Sequence, residues 1–399
     1  MTQNFPNYGK FFLHKATVDL KCPIWNNKPM KKIAIIGGGI IGMTLANYLD
    51  TEKFDITIFD SGKHQATGAS AGIISPWLSK RRNKQWYALA RDGAAFFEEL
   101  VKDFSLDENI YEKCGTLFVR SPQALQELEQ LALERRAEAP EIGEIRQLTA
   151  EETTEMLPLL KPVESLYISG GARLDGKAYL QHLRERAQTR GVHVISEEAQ
   201  VKKKKAKWWV TSAQARVEVD ELVLTPGPAL KTLLDQLGYT ANVSPQKGQL
   251  LSFETKFETE KWPVAFLEGE ADLIPFQNGR LLLGATHENE AAWDLEPTQE
   301  AFDQLTKGVQ SFLKEDYFSD TAYSYRVGTR AYTADFAPFF GPIEQEEGLS
   351  VASGLGSSGL TTGPYIAHLL AQHLNTDNSV WEMSRYTKEM NLYINKKEE

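Results

Sequence analysis

Apolar positions along this chain switch between two periods, and the switching predicts strands and helices in turn. A continuous apolar run at 33–36 reads as a buried parallel strand, the residues after it as a helix, and 54–59 as a second strand. Apolar residues at three- and four-residue spacing predict helices over 83–104, 122–137, 177–189 and 298–313, with a last one over 360–374. Short β segments are predicted at 166–169, 192–195, 221–224, 249–253, 281–283, 323–327 and 349–352, with a long hairpin over 199–219. The first 29 residues carry neither period. They read as a loosely held leader, as residues preceding a natural start at Met30, or as an ordered N-terminal arm.

Composition narrows the class. The 399 residues are 42% hydrophobic and 25% charged, enough for two or three domains whose cores need neither disulfide nor metal. The balance of 44 basic against 54 acidic residues leaves −10, which weighs against a nucleic-acid partner. Cys22 and Cys114 lie far apart with no CxxC pair, which fits a reducing, cytoplasmic compartment. No apolar run is long enough for an integral membrane segment. The basic run KKKKAK at 202–207 falls inside the hairpin and reads as a solvated turn, and the seven histidines contain no metal motif such as HExxH. A homo-oligomer is compatible with this composition.

The strongest local motif is GGGIIG, in which Gly37, Gly39 and Gly42 fit G-x-G-x-x-G between a predicted strand and a predicted helix. Gly37 allows a tight turn, Gly39 lets the backbone approach a pyrophosphate, and Gly42 lets helix and strand pack closely. The helix N-terminus offers N–H groups to phosphates. Asp60 ends the next strand, where a carboxylate accepts from ribose hydroxyls and disfavours a 2′-phosphate. Two further Gly/Ser-rich loops, ATGASAGIISPW at 66–77 and ASGLGSSGLTTGP at 352–364, suggest a long ligand clamped along its length.

In chain order, KKIAIIGGGIIG, ATGASAGIIS, VLTPG, PQKGQLLSF, IPFQNGRLLLGATHE, VGTRAYTADFAPFFGP and SGLGSSGLTTGP resemble the D-amino-acid oxidase, glycine oxidase and sarcosine oxidase superfamily. The resemblance runs from Met30 to about Leu374. It implies an α/β fold: a Rossmann-like FAD-binding domain (30–80, 145–240 and 325–375) interleaved with a β-rich α+β substrate domain (81–144 and 241–324), then a tail at 376–399. It also implies extended, non-covalent FAD. Gly37, Gly39 and Gly42 would hold the pyrophosphate, Asp60 the adenosine ribose, and Val201 the adenine through its backbone. Ser70, Ala71 and Gly72 would lie along the middle, and Gly356, Ser357, Ser358 and Gly359 would line the flavin end. Ile41, Ser61, Gly227, Gly354, Leu360 and Thr361 complete the implied cofactor-binding set.

At the substrate end the resemblance implies that Arg330, in VGTRAYTAD, grips a substrate carboxylate, a task its planar fork suits. In sarcosine oxidases this stretch carries a cysteine bonded to the flavin, and neither cysteine here is near it. The implied reaction is oxidation of the C–N bond of a small amino acid or secondary amine by hydride transfer to flavin, giving an imine that hydrolyses. Oxygen or a quinone would accept the electrons. Two alternatives stay open: a flavin-binding accessory subunit with little activity, and a flavoenzyme that modifies an amine on tRNA.

The chain departs from its relatives at Asp272, where glycine oxidases often carry a tyrosine. That puts glycine itself in doubt; the carboxylate reads either as an exposed strand-end aspartate or as a partner for a cationic amine or basic substrate. Trp77, Arg82, Trp86 and Tyr87 read either as pocket-facing or as helix core. His287 reads either as a plain strand-end residue or as one reaching the cofactor region, Asp335 and Pro338 read as turn residues, and His368 and His373 as surface residues.

Overall fold

The computed structural model describes residues 30–63, 65–269, 271–376 and 385–397. The leader, with Cys22, lies outside them. The strand Lys31–Ile36 is the centre of a six-stranded sheet in the order Phe339–Pro342, Leu349–Ser353, Glu221–Leu224, Lys31–Ile36, Phe54–Phe59, His193–Ile195. All pairs are parallel except the first. Its apolar run serves both faces. Ile33 and Ile35 pack under helices, whereas Ala34 and Ile36 join Trp208 and Val210 in a second core. The helices covering the first face include Ile40–Tyr48, Lys84–Phe104, Gly176–Thr189 and Gly359–Asn375. The chain leaves the central strand to one side at Phe54–Phe59 and returns on the other at Glu221–Leu224, so a crevice opens at the strands' carboxyl ends.

A second sheet has eight strands: Tyr323–Tyr332, Ser244–Glu254, Arg280–Gly284, Asp272–Pro275, Val264–Phe266, Thr116–Phe118, Ser165–Ile168 and Ile145–Leu148. The period of two sorts its residues. Leu251, Phe253, Leu273, Leu281 and Leu283 pack with Leu305 and Val309 of the helix Gln299–Gln310. Ile274 and Leu282 face the other way, toward Ala71 and Ile73 beside the crevice. The residues 145–168 thus supply two strands to the larger sheet.

Several expectations are corrected by tertiary context. The strand expected at 323–327 runs on to Tyr332 because all ten residues pair with Ser244–Phe253. The hairpin at 199–219 is a three-stranded meander, since the chain turns again before Arg216–Val219. The basic run is exposed, but Lys202–Lys204 lie on its first strand rather than in the turn. His368 is half-buried between the rings of Tyr48 and Phe96, with centroids at 4.9 and 4.7 Å, and is not a surface residue. Burial lowers its pKa and that of His373. Within the stretch read as a tail, Ile394–Lys396 pairs antiparallel with Tyr239–Ala241.

Candidate active site

Where the two sheets meet, a cavity of about 890 Å³ runs from the glycine loop to the face of the larger sheet. Its first wall is built by local necessity. Gly37 has φ +102°, and a Cβ there would strike the Thr225 carbonyl oxygen. Thr225 Oγ1 donates to Gly37 O at 2.9 Å and holds the turn. Gly42 lies behind the wall, where a side chain would drive into Gly37 O, so its glycine serves packing. Gly39 differs: the nearest atom a Cβ would meet is Thr67 Oγ1 at 3.5 Å, which leaves room on the cavity side. Ile41 and the start of the helix Ile40–Tyr48 also line the cavity. The Asp60 carboxylate lies against Gly38 and receives Arg184 Nη2 and Gln65 Nε2, each at 3.4 Å.

Ser61, Ser70, Ala71, Gly72 and Gly227 continue the wall. Val201 does not reach it. Its side chain joins the Trp208 core, while Glu197–Gln200 just before it line the cavity. At the far end Gly356, Ser357, Ser358, Gly359, Leu360 and Thr361 lead into the helix Gly359–Asn375, whose N-terminus opens on the cavity. Gly354 stands behind this loop at φ +78°, where a Cβ would meet Thr333 Cγ2 at 2.7 Å. Arg81 Nη2 donates to Ser357 Oγ and Trp86 Nε1 to Ser358 Oγ, each at 3.0 Å, with the Arg81 guanidinium 4.6 Å over the Trp86 ring.

Of the four residues singled out after the second loop, Trp86 lines the cavity and the others do not. Trp77 is buried and donates to Glu141, Tyr87 lies beneath Arg135, and Arg82 is exposed. Arg81 was missed. The Asn83 cap, which accepts from Trp86 N–H at 2.9 Å, sets the helix phase that turns Trp86 inward.

The opposite wall is the larger sheet. Arg330 pairs with Gln246, and its Nη1 donates to Thr286 O at 2.9 Å and Gln246 Oε1 at 3.2 Å. Among the described residues no protein acceptor takes Nη2. Burial lowers the Arg330 pKa, yet guanidinium stays charged at any ordinary pH. Its head lies over Gly248, where a Cβ would come within about 2.6 Å. Tyr332, two residues on, packs its ring under Gly356, which ties the Arg330 strand to the 356–361 loop. Asp272, Gly284, Leu250, Phe266, His287 and Trp293 complete this wall. Burial pushes the Asp272 carboxyl up to about 7, against the opposing pull of Arg120 and the Leu267 N–H.

A long cavity with a glycine cradle at one end, an acid beside it and a helix N-terminus at the other fits an extended dinucleotide. The family model of FAD dependent oxidoreductases (DAO) matches residues 32–373. The chain is 35% identical over 369 residues to the oxidoreductase YurR of Bacillus subtilis (strain 168), covering 90% of this chain and 98% of that one. It is 25% identical to the glycine oxidase of Pseudomonas putida, covering 91% and 99%. Among solved structures, iminodiacetate oxidase from Chelativorans sp. BNC1 superposes with TM-score 0.83 at 27% identity, covering 89% and 98%. With the cradle, the crevice and these likenesses in agreement, the chain belongs to the family of FAD-dependent oxidoreductases, and FAD is its cofactor.

Proposed function

We propose that this protein oxidises the C–N bond of a small amino acid or secondary amine whose carboxylate is held by Arg330. The observation that carries the reading is Arg330 itself, a desolvated cation fixed through Nη1 and anchored by Tyr332 beside the 356–361 loop. Its Nη2 edge suits a carboxylate, and a substrate so held presents its α-carbon at a constant distance from that loop. FAD, when bound, supplies the two-electron acceptor. The protein's share is binding, orientation and the exclusion of water, so no acid or base is demanded of the side chains. Retention of FAD is non-covalent in this reading: Cys114 packs against the apolar cluster around Val264 and is absent from the cavity wall.

Purified protein mixed anaerobically with glycine, sarcosine, proline and D- and L-amino acids tests this, with visible absorbance as the readout. A substrate bleaches the yellow flavin, and admission of air then separates oxygen from a quinone-type acceptor. Arg330→Ala raises KM by about 100-fold or more, and Arg330→Lys recovers part of it. Unchanged affinity in Arg330→Ala would sink the carboxylate role.

A further inference from the structure

We infer that Asp272 is a second substrate anchor, which selects amino compounds carrying a cationic group at the end remote from the carboxylate. This deepens the reading above and rests on it. The geometry comes from the register of the larger sheet. Leu250 pairs with Gly284, and Gly284 with Asp272, so the three stand in one row on one face. Two residues back along the same strand and on the same face, Gly248 carries the Arg330 guanidinium over it. All five residues line the same cavity. With strands about 4.8 Å apart and about 3.4 Å per residue, the backbone at Gly248, beneath the guanidinium, and at Asp272 stand about 12 Å apart.

The floor between them is apolar, since the Leu250 side chain lies over Gly284, where a Cβ would meet its Cγ at 2.5 Å. An extended aliphatic chain lies across such a floor. A six-carbon amino acid, whose carboxylate and terminal nitrogen are about 7 Å apart, spans it with one hydrogen-bond length left at each end.

The charges around Asp272 favour a cation. Arg120, across the neighbouring strands, spends its Nη1 on Val119 O at 2.7 Å and Phe266 O at 2.9 Å. The flanking strand Val264–Phe266 is apolar, Gly284 opposite has no side chain, and Glu268 beyond the turn is exposed. On the larger sheet's side of the cavity the other ionisable groups are Arg330 and His287; Arg81 lies on the opposite wall beside Ser357, and Asp60, Lys63, Glu197 and Glu198 also line the cavity. Burial raises the carboxyl pKa, and neither Arg120 nor the Leu267 N–H offsets it. A bound ammonium adds a second positive charge beside it and draws the group into its ionised form. Affinity for a terminal cation therefore rises as pH passes upward through about 7, where the free site loses its proton.

Three ligands without an α-amine separate the two anchors without turnover: 6-aminohexanoate, hexanoate and adipate, titrated into the holoprotein from pH 6 to 8.5 with the flavin difference spectrum and calorimetry as readouts. The expected result is 6-aminohexanoate tighter than hexanoate by about 10-fold or more at pH 8, with the gap shrinking toward pH 6. Asp272→Asn abolishes the gap while hexanoate binds as before. Arg330→Ala weakens all three. Equal binding of 6-aminohexanoate and hexanoate to the wild type, or adipate tightest at low pH, overturns the Asp272 proposal and leaves the Arg330 reading intact. Binding that Arg330→Ala leaves unchanged, or no binding by any of the three, removes the carboxylate anchor and this proposal with it.

Discussion

Arg330 reaches its working position only because Gly248, on the neighbouring strand, has no side chain. A methyl group there would sit about 2.6 Å from the guanidinium, which is the mobile end of a long side chain. Gly248→Ala therefore displaces the arginine rather than the sheet. The expected outcome is a KM raised by about 10-fold or more, with a melting temperature within about 3 °C of wild type. A large loss of stability with unchanged KM would show that Gly248 serves packing alone. The glycines of the first loop contrast with it. Gly37, at φ +102°, and Gly42, packed on Gly37 O, keep a fixed spacing within one loop, and so G-x-G-x-x-G is legible as a motif even though Thr225 also presses on both. The demand on Gly248 comes from a residue 82 positions away, and no local pattern records it.

The segment from Ala285 to Thr298, which carries His287 and Trp293 to the cavity, is held by side chains of two strands, Tyr323–Tyr332 through Arg330, Thr329 and Tyr325, and Ser244–Glu254. Gln246 Nε2 donates to Asn289 Oδ1 at 2.7 Å, and Gln249 Nε2 to Glu288 Oε1 at 2.9 Å. Between them Lys247 is fully buried and donates from Nζ to Glu296 O at 2.6 Å, with Asp294 Oδ2 at 3.5 Å. A buried ammonium persists only where acceptors surround it, so Lys247 acts as a clamp on the segment. Lys247→Met retains the apolar stem and removes the clamp. It is expected to cost about 1–3 kcal/mol of stability and to raise KM several-fold with a smaller change in kcat. A fall in melting temperature with KM unmoved would confine Lys247 to stability. In the sequence, PQKGQ showed its family likeness but not this role. The short strands Asp272–Pro275 and Val264–Phe266 escaped notice altogether, because three or four residues carry too few alternations to register a period.

The chain closes on itself through its last described residues. Tyr393 stacks on Phe339 at 4.7 Å and donates to Asp335 Oδ2 at 2.9 Å, and Lys388 Nζ reaches the same carboxylate at 2.6 Å. Asp335 thus does more than shape its turn. Thr333 of that turn packs behind Gly354 and so supports the 356–361 loop from outside the cavity. Removal of residues 385–399 is expected to lower the melting temperature by about 5 °C or more and to speed loss of FAD on dialysis, read by the ratio of flavin to protein absorbance. Retained FAD in a destabilised protein would separate the strap from the loop it is argued to support.

The division between what was legible and what was not follows from the range of the forces. Strands and helices with long periodic faces rest on neighbours in sequence, and the glycine cradle and Asp60 keep a recognisable spacing along the chain, so pattern and spacing suffice to find them. The placement of Arg330 on a strand that runs on to Tyr332, the glycine floor beneath it, Arg81 against Ser357 and Asp272 across from the guanidinium all depend on cross-strand register and on the meeting of two sheets. Register is fixed by packing between strands that meet only in the folded sheet, and one position's slip would turn the strand-borne side chains to the opposite face.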